Sequence, residues 1–205
     1  MGIKHLLDKI FSFILLVILS PIFILIAILI KLDSKGPVFF IQQRVGKDNK
    51  LFNIYKFRTM VPDAINIGSG VYTEENDPRI TRIGRFLRKT SLDELPQLIN
   101  ILKGEMSFIG PRPTLAYQVE QYNDFQRKRL LMRPGVTGLA QVNGRNSLSW
   151  PERIEYDVKY VENYSLMLDF KILLKTFLVI FKQEGLYAEK EKFLIGGEKK
   201  GEDEA

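Results

Sequence analysis

The sequence predicts an α+β fold that is mostly helical, with a bent apolar segment at the N-terminus, a small β-hairpin and amphipathic helices suited to an interface. Three observations predict it: an uncharged apolar stretch at 10–30, two strand-like runs around Gly46, and helical apolar stripes after residue 79. They divide the chain into a membrane-embedded segment at 1–35, a domain at 36–188, and a charged tail at 189–205 that we expect to be disordered.

The stretch 10–30 is long enough to cross a hydrocarbon core of about 30 Å, at about 1.5 Å per residue. Pro21 lies at its centre and has no N–H for the Val17 carbonyl, so a bend is expected there, and the Ser20 hydroxyl can bond a freed carbonyl. A signal peptide is disfavoured because the run is too long and lacks a small-residue cleavage site.

Basic residues flank both ends of this stretch: Lys4, Lys9, Lys31 and Lys35. A re-entrant hairpin bent at Ser20-Pro21 would keep all four on one face of the membrane, in keeping with the bias of basic residues towards one side. A spanning helix with a kink at Pro21 is the alternative that the residues alone leave open.

Composition restricts the partners and metals. The chain has 30 Lys and Arg against 24 Asp and Glu, a net charge of +6, which indicates an anionic partner such as lipid head groups, a phosphorylated substrate or nucleic acid. Nucleic acid is disfavoured because no element interleaves aromatic and basic residues. Without cysteine and with only His5, the chain excludes thiolate and multi-histidine sites, so any metal needs oxygen ligands, as Mg²⁺ does.

The elements follow in order after Pro37. Runs 38–45 and 51–60 predict a β-hairpin turning at 46–49, and its alternation places Lys56 and Arg58 on one side, where they could bind a phosphate together. A loop is expected at 61–78. Helices are expected at 79–89, within 90–104, and at 114–132, 149–164 and 166–184, with irregular segments at 108–113 and 133–145.

Asp93 and Glu94 form the most informative polar pair. Ser91 and Glu94 fit a capping box, which would make Glu94 a structural helix cap. Pro96 instead favours either a kinked helix or a helix that starts at Pro96, with the acidic pair on a preceding turn. Two adjacent carboxylates beside an arginine-rich helix suggest Mg²⁺-assisted phosphoryl chemistry, with one attacking phosphorus and the other holding the metal.

Six stretches resemble, in the same order, the motifs of the bacterial sugar transferases, the small monotopic phosphoglycosyl transferases. They are 55–60 (YKFRTM), 76–79 (NDPR) with Gly84-Arg85, 91–97 (SLDELPQ), 106–113 (MSFIGPRP), 133–138 (RPGVTG) and 141–145 (QVNGR), followed by Glu155-Tyr-Asp157. The resemblance implies transfer of a sugar-1-phosphate from a UDP-sugar to polyprenyl (undecaprenyl) phosphate with release of UMP, by a ping-pong mechanism, as the first membrane step of glycoconjugate assembly.

The resemblance also implies roles for individual residues. Asp93 would be the nucleophile that forms a covalent phosphosugar intermediate, and Glu94 would serve the metal and proton transfer, both being ligands of Mg²⁺. Phosphate or uridine binding would fall to Arg88, Arg112 and Arg145, with Lys56 and Arg58 as further candidates. Asp157 would assist at the metal or the sugar, unless it forms a helix-surface salt bridge.

The family's re-entrant hairpin with a Ser-Pro bend matches Ser20-Pro21. The resemblance therefore implies a site at the cytoplasmic face of the bacterial inner membrane, where the lipid phosphate and the UDP-sugar can meet. Basic amphipathic helices suit such a location because they attract anionic head groups and bury an apolar face.

Overall fold

The computed structural model describes residues 2–67 and 77–182, and the mostly helical α+β composition is confirmed. The chain begins with helix α1 (Gly2–Ile18) and helix α2 (Ser20–Asp33). The predicted break at Ser20-Pro21 is confirmed as a bend of 62° between them. The Ser20 hydroxyl donates to the Val17 carbonyl at 2.8 Å, the carbonyl that Pro21 cannot bond.

The N-terminal helices carry their apolar side chains outwards. None of the described helices is by itself long and apolar enough to cross a bilayer, whereas α1 and α2 together have the length and composition to do so. Along α1 the buried positions are Lys4, Asp8 and Ser12, one turn apart. The large apolar side chains exposed on this helix are Ile3, Leu6, Leu7, Ile10, Phe11, Phe13, Ile14, Val17 and Ile18. This polarity is the reverse of that of a helix on a water-soluble protein.

The predicted β-hairpin is confirmed. Strands β1 (Phe39–Val45) and β2 (Leu51–Phe57) pair antiparallel around a turn at Lys47–Asn49. The outer edge of β2 is covered by Asn100, whose amide accepts from the Tyr55 N–H at 3.0 Å and donates to the Asn53 carbonyl at 2.7 Å. One side chain therefore takes the place of a third strand at that edge.

Two helices enclose the acidic pair. Helix α3 (Arg82–Thr90) starts after Thr81, whose hydroxyl caps it by accepting from the Gly84 N–H at 3.0 Å. The helix therefore begins three residues later than the predicted helix at 79–89. A 3₁₀ turn (Leu92–Glu94) follows, and helix α4 (Gln97–Lys103) ends at Gly104, as predicted. The predicted loop at 61–78 lies partly outside the described residues.

A parallel strand pair occupies part of the segment predicted to be irregular. Strand β3 (Ser107–Ile109) pairs with β4 (Gly135–Thr137). The prediction of irregular structure was therefore wrong at the start of 108–113 and at 135–137 within 133–145. The backbones approach so closely that a Cβ on Gly110 would lie 2.3 Å from the Arg133 carbonyl oxygen, and one on Gly135 would lie 2.1 Å from the Gly110 nitrogen. These glycines are needed for the close contact between the two strands.

The prediction of one continuous helix at 114–132 is wrong. The chain forms two short helices, α5 (Ala116–Glu120) and α6 (Asp124–Arg127), followed by a 3₁₀ turn (Lys128–Leu131). Asn123 divides them because its side chain accepts from the Gln126 N–H at 2.9 Å while its backbone is extended. Asparagine favours such a cap over a helix interior.

The last two predicted helices are confirmed within the described residues, as α7 (Trp150–Glu162) and α8 (Leu166–Lys182). The Ser149 N–H donates to Glu152 Oε2 at 2.7 Å, and these two residues form a capping box at the start of α7. The expectation of a disordered tail at 189–205 falls outside the described residues.

Apolar clusters attach the N-terminal pair to the rest of the chain. Leu15 and Leu16 of α1, and Leu19 just after it, pack with residues of β2 and α4. Ile26 and Ile30 of α2 pack with Phe57 and Leu87. The helices that flank the acidic pair therefore rest directly on α1 and α2.

Candidate active site

Asp93 and Glu94 lie on the 3₁₀ turn between α3 and α4. Ser91 ends α3 with φ +57°, and its side chain makes no capping hydrogen bond, so the capping-box interpretation of Glu94 is wrong. Pro96 immediately precedes α4, as the alternative interpretation predicted. The pair is thus held on a short turn between two helices, outside regular structure.

Glu94 is held by two cations. Lys56 Nζ lies 2.7 Å and Arg112 Nη2 lies 2.8 Å from the same oxygen, Oε1. Burial alone would raise the pKa of Glu94, but Arg112 and Lys56 outweigh it and hold that pKa well below its usual range. Glu94 is therefore an ionised carboxylate with a fixed orientation, and Oε2 accepts no hydrogen bond from the described residues.

Asp93 is in a different state from its neighbour. Its partly buried carboxylate accepts no hydrogen bond from the described residues. Burial raises the pKa of Asp93 to about 6, against the opposing charge of Lys56 and with a further contribution from Glu94. Two adjacent carboxylates with such different environments are typical of groups with separate chemical roles.

Two further predicted arginines complete the cationic surroundings. Arg88 Nε donates to Thr59 Oγ1 at 2.9 Å, and the positive charge of Arg88 acts on Asp93. Arg145 Nη2 donates to Ser91 Oγ at 3.2 Å, and its backbone has φ +52°. The structure therefore brings Lys56, Arg88, Arg112 and Arg145 together around the acidic pair. Such an excess of cations suits a ligand with several phosphates.

Arg58 lies elsewhere. Strand β2 ends at Phe57, so the alternation that would place Arg58 beside Lys56 stops before it. Its guanidinium donates to the carbonyl of Lys35, and to the carbonyl and hydroxyl of Ser34 at 2.8 and 3.0 Å. Arg58 thus secures the C-terminal end of α2, and the structure does not bring it to a common ligand with Lys56.

Asp157 lies in the protein interior and is linked to the site through Arg129. It is 1 % exposed and forms an ion pair with the equally buried Arg129, which makes it a buried salt bridge on the inner face of α7. Arg129 Nη2 also donates to the Arg112 carbonyl at 2.9 Å. The pair therefore supports the backbone of a residue that holds Glu94, and the structure does not place Asp157 at the carboxylates.

Sequence reasoning missed Arg44, whose charge interacts with both Arg112 and Glu94. Arg44 lies two residues after Gln42 in β1, on the same face of the strand. The alternation of the strand could therefore have indicated a polar face there. Arg129 was missed as well. Its partner Asp157 is 28 residues away along the chain, too far for any local pattern.

The donor set fits a magnesium ion shared with a substrate. The described residues include no group of three or more His, Cys, Asp or Glu side chains that could hold a metal ion by themselves. Asp93 and Oε2 of Glu94 nevertheless offer carboxylate oxygens on one turn. Mg²⁺ in proteins is commonly bound by one or two carboxylates plus substrate phosphates.

Comparison with known proteins places the chain in a family. The family described as "Bacterial sugar transferase" matches residues 1–183. The chain is 42% identical to "Uncharacterized sugar transferase EpsL" of Bacillus subtilis, over 91% of each chain. It is 41% identical to "Undecaprenyl-phosphate galactose phosphotransferase" of Salmonella typhimurium, over 90% of this chain and 42% of that protein.

A relative from Klebsiella pneumoniae, "UDP-glucose:undecaprenyl-phosphate glucose-1-phosphate transferase", is 44% identical over 89% of this chain and 40% of its own length. The chain thus spans less than half of two of these relatives and nearly all of a third. Since the family match extends from the first residue of α1 to the end of α8, it includes the whole described site. The chain belongs to the bacterial sugar transferase family.

Proposed function

We propose that this chain transfers a sugar-1-phosphate from a UDP-sugar to undecaprenyl phosphate and releases UMP. Two relatives carry names for reactions of this class, with galactose or glucose as the sugar and undecaprenyl phosphate as the carrier. The observation that carries the proposal is the contrast within the acidic pair: Glu94 is bound by two cations, whereas Asp93 accepts no hydrogen bond from the described residues.

The reaction proceeds in two displacements. An oxygen of Asp93 attacks the phosphorus that bears the sugar, the bond from that phosphorus to the bridging oxygen breaks, and UMP leaves with the electron pair. An oxygen of the lipid phosphate then attacks the same phosphorus, forming a diphosphate-linked sugar and restoring the Asp93 carboxylate. This ping-pong sequence needs an aspartate that is free of permanent partners.

The cations around the pair bind and orient the phosphates. Lys56 and Arg112 keep Glu94 ionised and in place, while Arg88 and Arg145 approach from α3 and from the segment after β4. Glu94 Oε2 and Asp93 would hold Mg²⁺, which when bound neutralises charge on the diphosphate. Fixed cations in a partly buried site stabilise the transferring phosphoryl group more strongly than mobile ions in water.

The N-terminal pair is proposed to enter the membrane and return to the same face. Near its beginning, Lys4 Nζ lies 2.6 Å from Asp169 Oδ2 of α8, so Lys4 is not a free head-group contact. Near its end, Arg58 binds Ser34 and Lys35, and the Ile83 N–H donates to Asp33 Oδ2 at 3.0 Å. Because both ends attach to the same body, a re-entrant hairpin on the cytoplasmic face of the inner membrane is favoured over a spanning helix.

The exposed side of α8 suits the same interface. Its large apolar side chains that face outwards are Leu166, Met167, Phe170, Leu173, Leu174, Phe177 and Leu178. Lys171 and Lys175 are exposed among them. An apolar surface with lysines at its margin is typical of a helix lying in a head-group layer.

A covalent intermediate provides the test. The purified chain is incubated with Mg²⁺ and a panel of UDP-sugars without lipid, and its intact mass is measured. We expect a phosphosugar adduct on Asp93 together with released UMP, no adduct after removal of Mg²⁺ by EDTA, and discharge of the adduct by undecaprenyl phosphate.

Asp93→Asn should abolish both products, because an amide is a poor nucleophile. Asp48→Asn removes an exposed carboxylate in the β-hairpin turn and should behave as the wild type. Folded wild-type protein that yields neither adduct nor UMP with any UDP-sugar would exclude the proposal and favour a non-catalytic membrane-anchored binding role.

A further inference from the structure

Arg44 is a cation without a counter-charge. Its Nη2 donates to Gln42 Oε1 at 2.5 Å, a neutral partner on the same strand. Its Nε is fully enclosed and has no hydrogen-bond partner. Among the residues that the structure describes, no carboxylate lies within ion-pair distance of Arg44.

The surroundings of Arg44 are those of the candidate active site. The next residue, Val45, donates its N–H to the Thr114 carbonyl at 2.9 Å, which joins the end of β1 to the segment that carries Arg112. Burial and the positive charge of Arg112 lower the pKa of Arg44 to about 10, while Tyr117 and Glu94 act in the opposite sense. Glu94 does not neutralise Arg44, because its Oε1 is bound by Arg112 and Lys56.

An unpaired cation that is partly removed from water and repelled by a second guanidinium is unfavourable for the folded state. The arrangement becomes favourable when an anion lies between the two. Guanidinium groups bind phosphate through parallel N–H donors, and Nη1 of Arg44 donates to none of the described residues and is not enclosed as Nε is. Gln42 fixes the rotation of the guanidinium by holding Nη2.

We propose that Arg44 and Arg112 together bind a phosphate group of a substrate. The inference rests on the proposed function, which provides two sources of that chemistry: the diphosphate of the nucleotide donor and the monophosphate of the lipid acceptor. Arg112 would then contact both Glu94 and the substrate, and Arg44 would be a binding residue that meets only the substrate.

The test measures equilibrium binding of UDP and of a short-chain polyprenyl phosphate to the full chain in detergent. UDP is used because every UDP-sugar contains it, so the unknown sugar does not matter. For Arg44→Gln we expect the affinity for one or both ligands to fall on the order of 10- to 100-fold, as for loss of a charged hydrogen bond. The ligand that weakens identifies the source of the phosphate.

Two companion variants make the result specific. Lys47→Gln removes the same charge from the exposed turn of the same hairpin and should leave both affinities unchanged. Arg44→Lys should recover part of the affinity, because an ammonium keeps the charge but loses the two-donor geometry.

Thermal unfolding without ligand separates binding from a structural role. Arg44→Gln should unfold at an unchanged or higher temperature, because it removes an uncompensated charge. Unchanged affinities, or a lower unfolding temperature together with weaker binding, would overturn the inference. A wild type that binds neither ligand would instead contradict the proposed function, on which the inference depends.

Discussion

At the scale of single residues, the proposed chemistry depends on two neighbouring carboxylates in different environments. The partners of Glu94 come from 38 residues before it and 18 residues after it, and both hold the same oxygen. Asp93 has no such partner among the described residues, and its pKa is raised by burial. Folding thus gives Glu94 two cationic partners and gives Asp93 no hydrogen-bond partner among the described residues.

This contrast predicts opposite effects on stability. Glu94→Gln should lower the free energy of unfolding by about 1–3 kcal/mol, because it leaves Lys56 and Arg112 without their anion. Asp93→Asn should leave it unchanged or increase it, because the charged form of Asp93 is disfavoured by burial. Chemical denaturation of both variants measures the difference, and equal destabilisation would contradict the assignment of roles.

The sequence could identify the acidic pair and Lys56, since a local motif and the period of a strand are enough for these. It could not place Arg58, because the position of its side chain depends on where β2 ends. Nor could it find Arg44, whose significance comes from the distant Arg112. Partners far apart in the chain are set by tertiary packing, which no short pattern encodes.

At the scale of elements, the bend between α1 and α2 was predictable because its causes are local. Pro21 lacks the N–H that would bond Val17, and the adjacent hydroxyl takes that carbonyl instead. The segment 114–132 was mispredicted because the capping preference of Asn123 overrode a helical pattern. The β3–β4 pair was missed because its glycines serve close contact between two distant strands.

The bend leads to a prediction about membrane topology. Single cysteines introduced as Ile3→Cys and as Lys35→Cys should be labelled from the same side of sealed vesicles by a membrane-impermeant maleimide. Adding Pro21→Ala restores the missing backbone donor, so a fraction of the molecules should then be labelled from opposite sides. Opposite-side labelling with Pro21 present would exclude the re-entrant hairpin.

At the scale of the whole molecule, the N-terminal helices form part of the body. Lys4 is 5 % exposed and reaches Asp169 of α8, whose other oxygen accepts from the Tyr160 hydroxyl at 2.6 Å. Farther along α1, the Ser12 hydroxyl donates to the Leu98 carbonyl of α4 at 2.5 Å. The inward polar stripe of α1 thus connects it to both α4 and α8.

Breaking the Lys4–Asp169 pair should destabilise the protein strongly. Lys4→Met leaves a buried carboxylate with only Tyr160, for which a loss of about 3–5 kcal/mol is expected, measured by unfolding in detergent. Lys9→Met, an exposed position on the same helix, is the matched control. The double variant Lys4→Met with Asp169→Leu should recover part of the loss, and no recovery would mean that Lys4 acts by packing alone.

The connection of α2 to α3 through Asp33 and Ile83 has a consequence for where the reaction takes place. Helix α3 ends at Thr90, three residues before Asp93, so the proposed nucleophile is joined to the proposed membrane segment through one helix. In a hairpin that enters and leaves the membrane by the same face, the protein structure fixes the distance between Asp93 and the acyl chains. In such a hairpin that distance does not depend on the thickness of the bilayer, so the proposed enzyme would meet a lipid phosphate at the same depth in membranes of different composition.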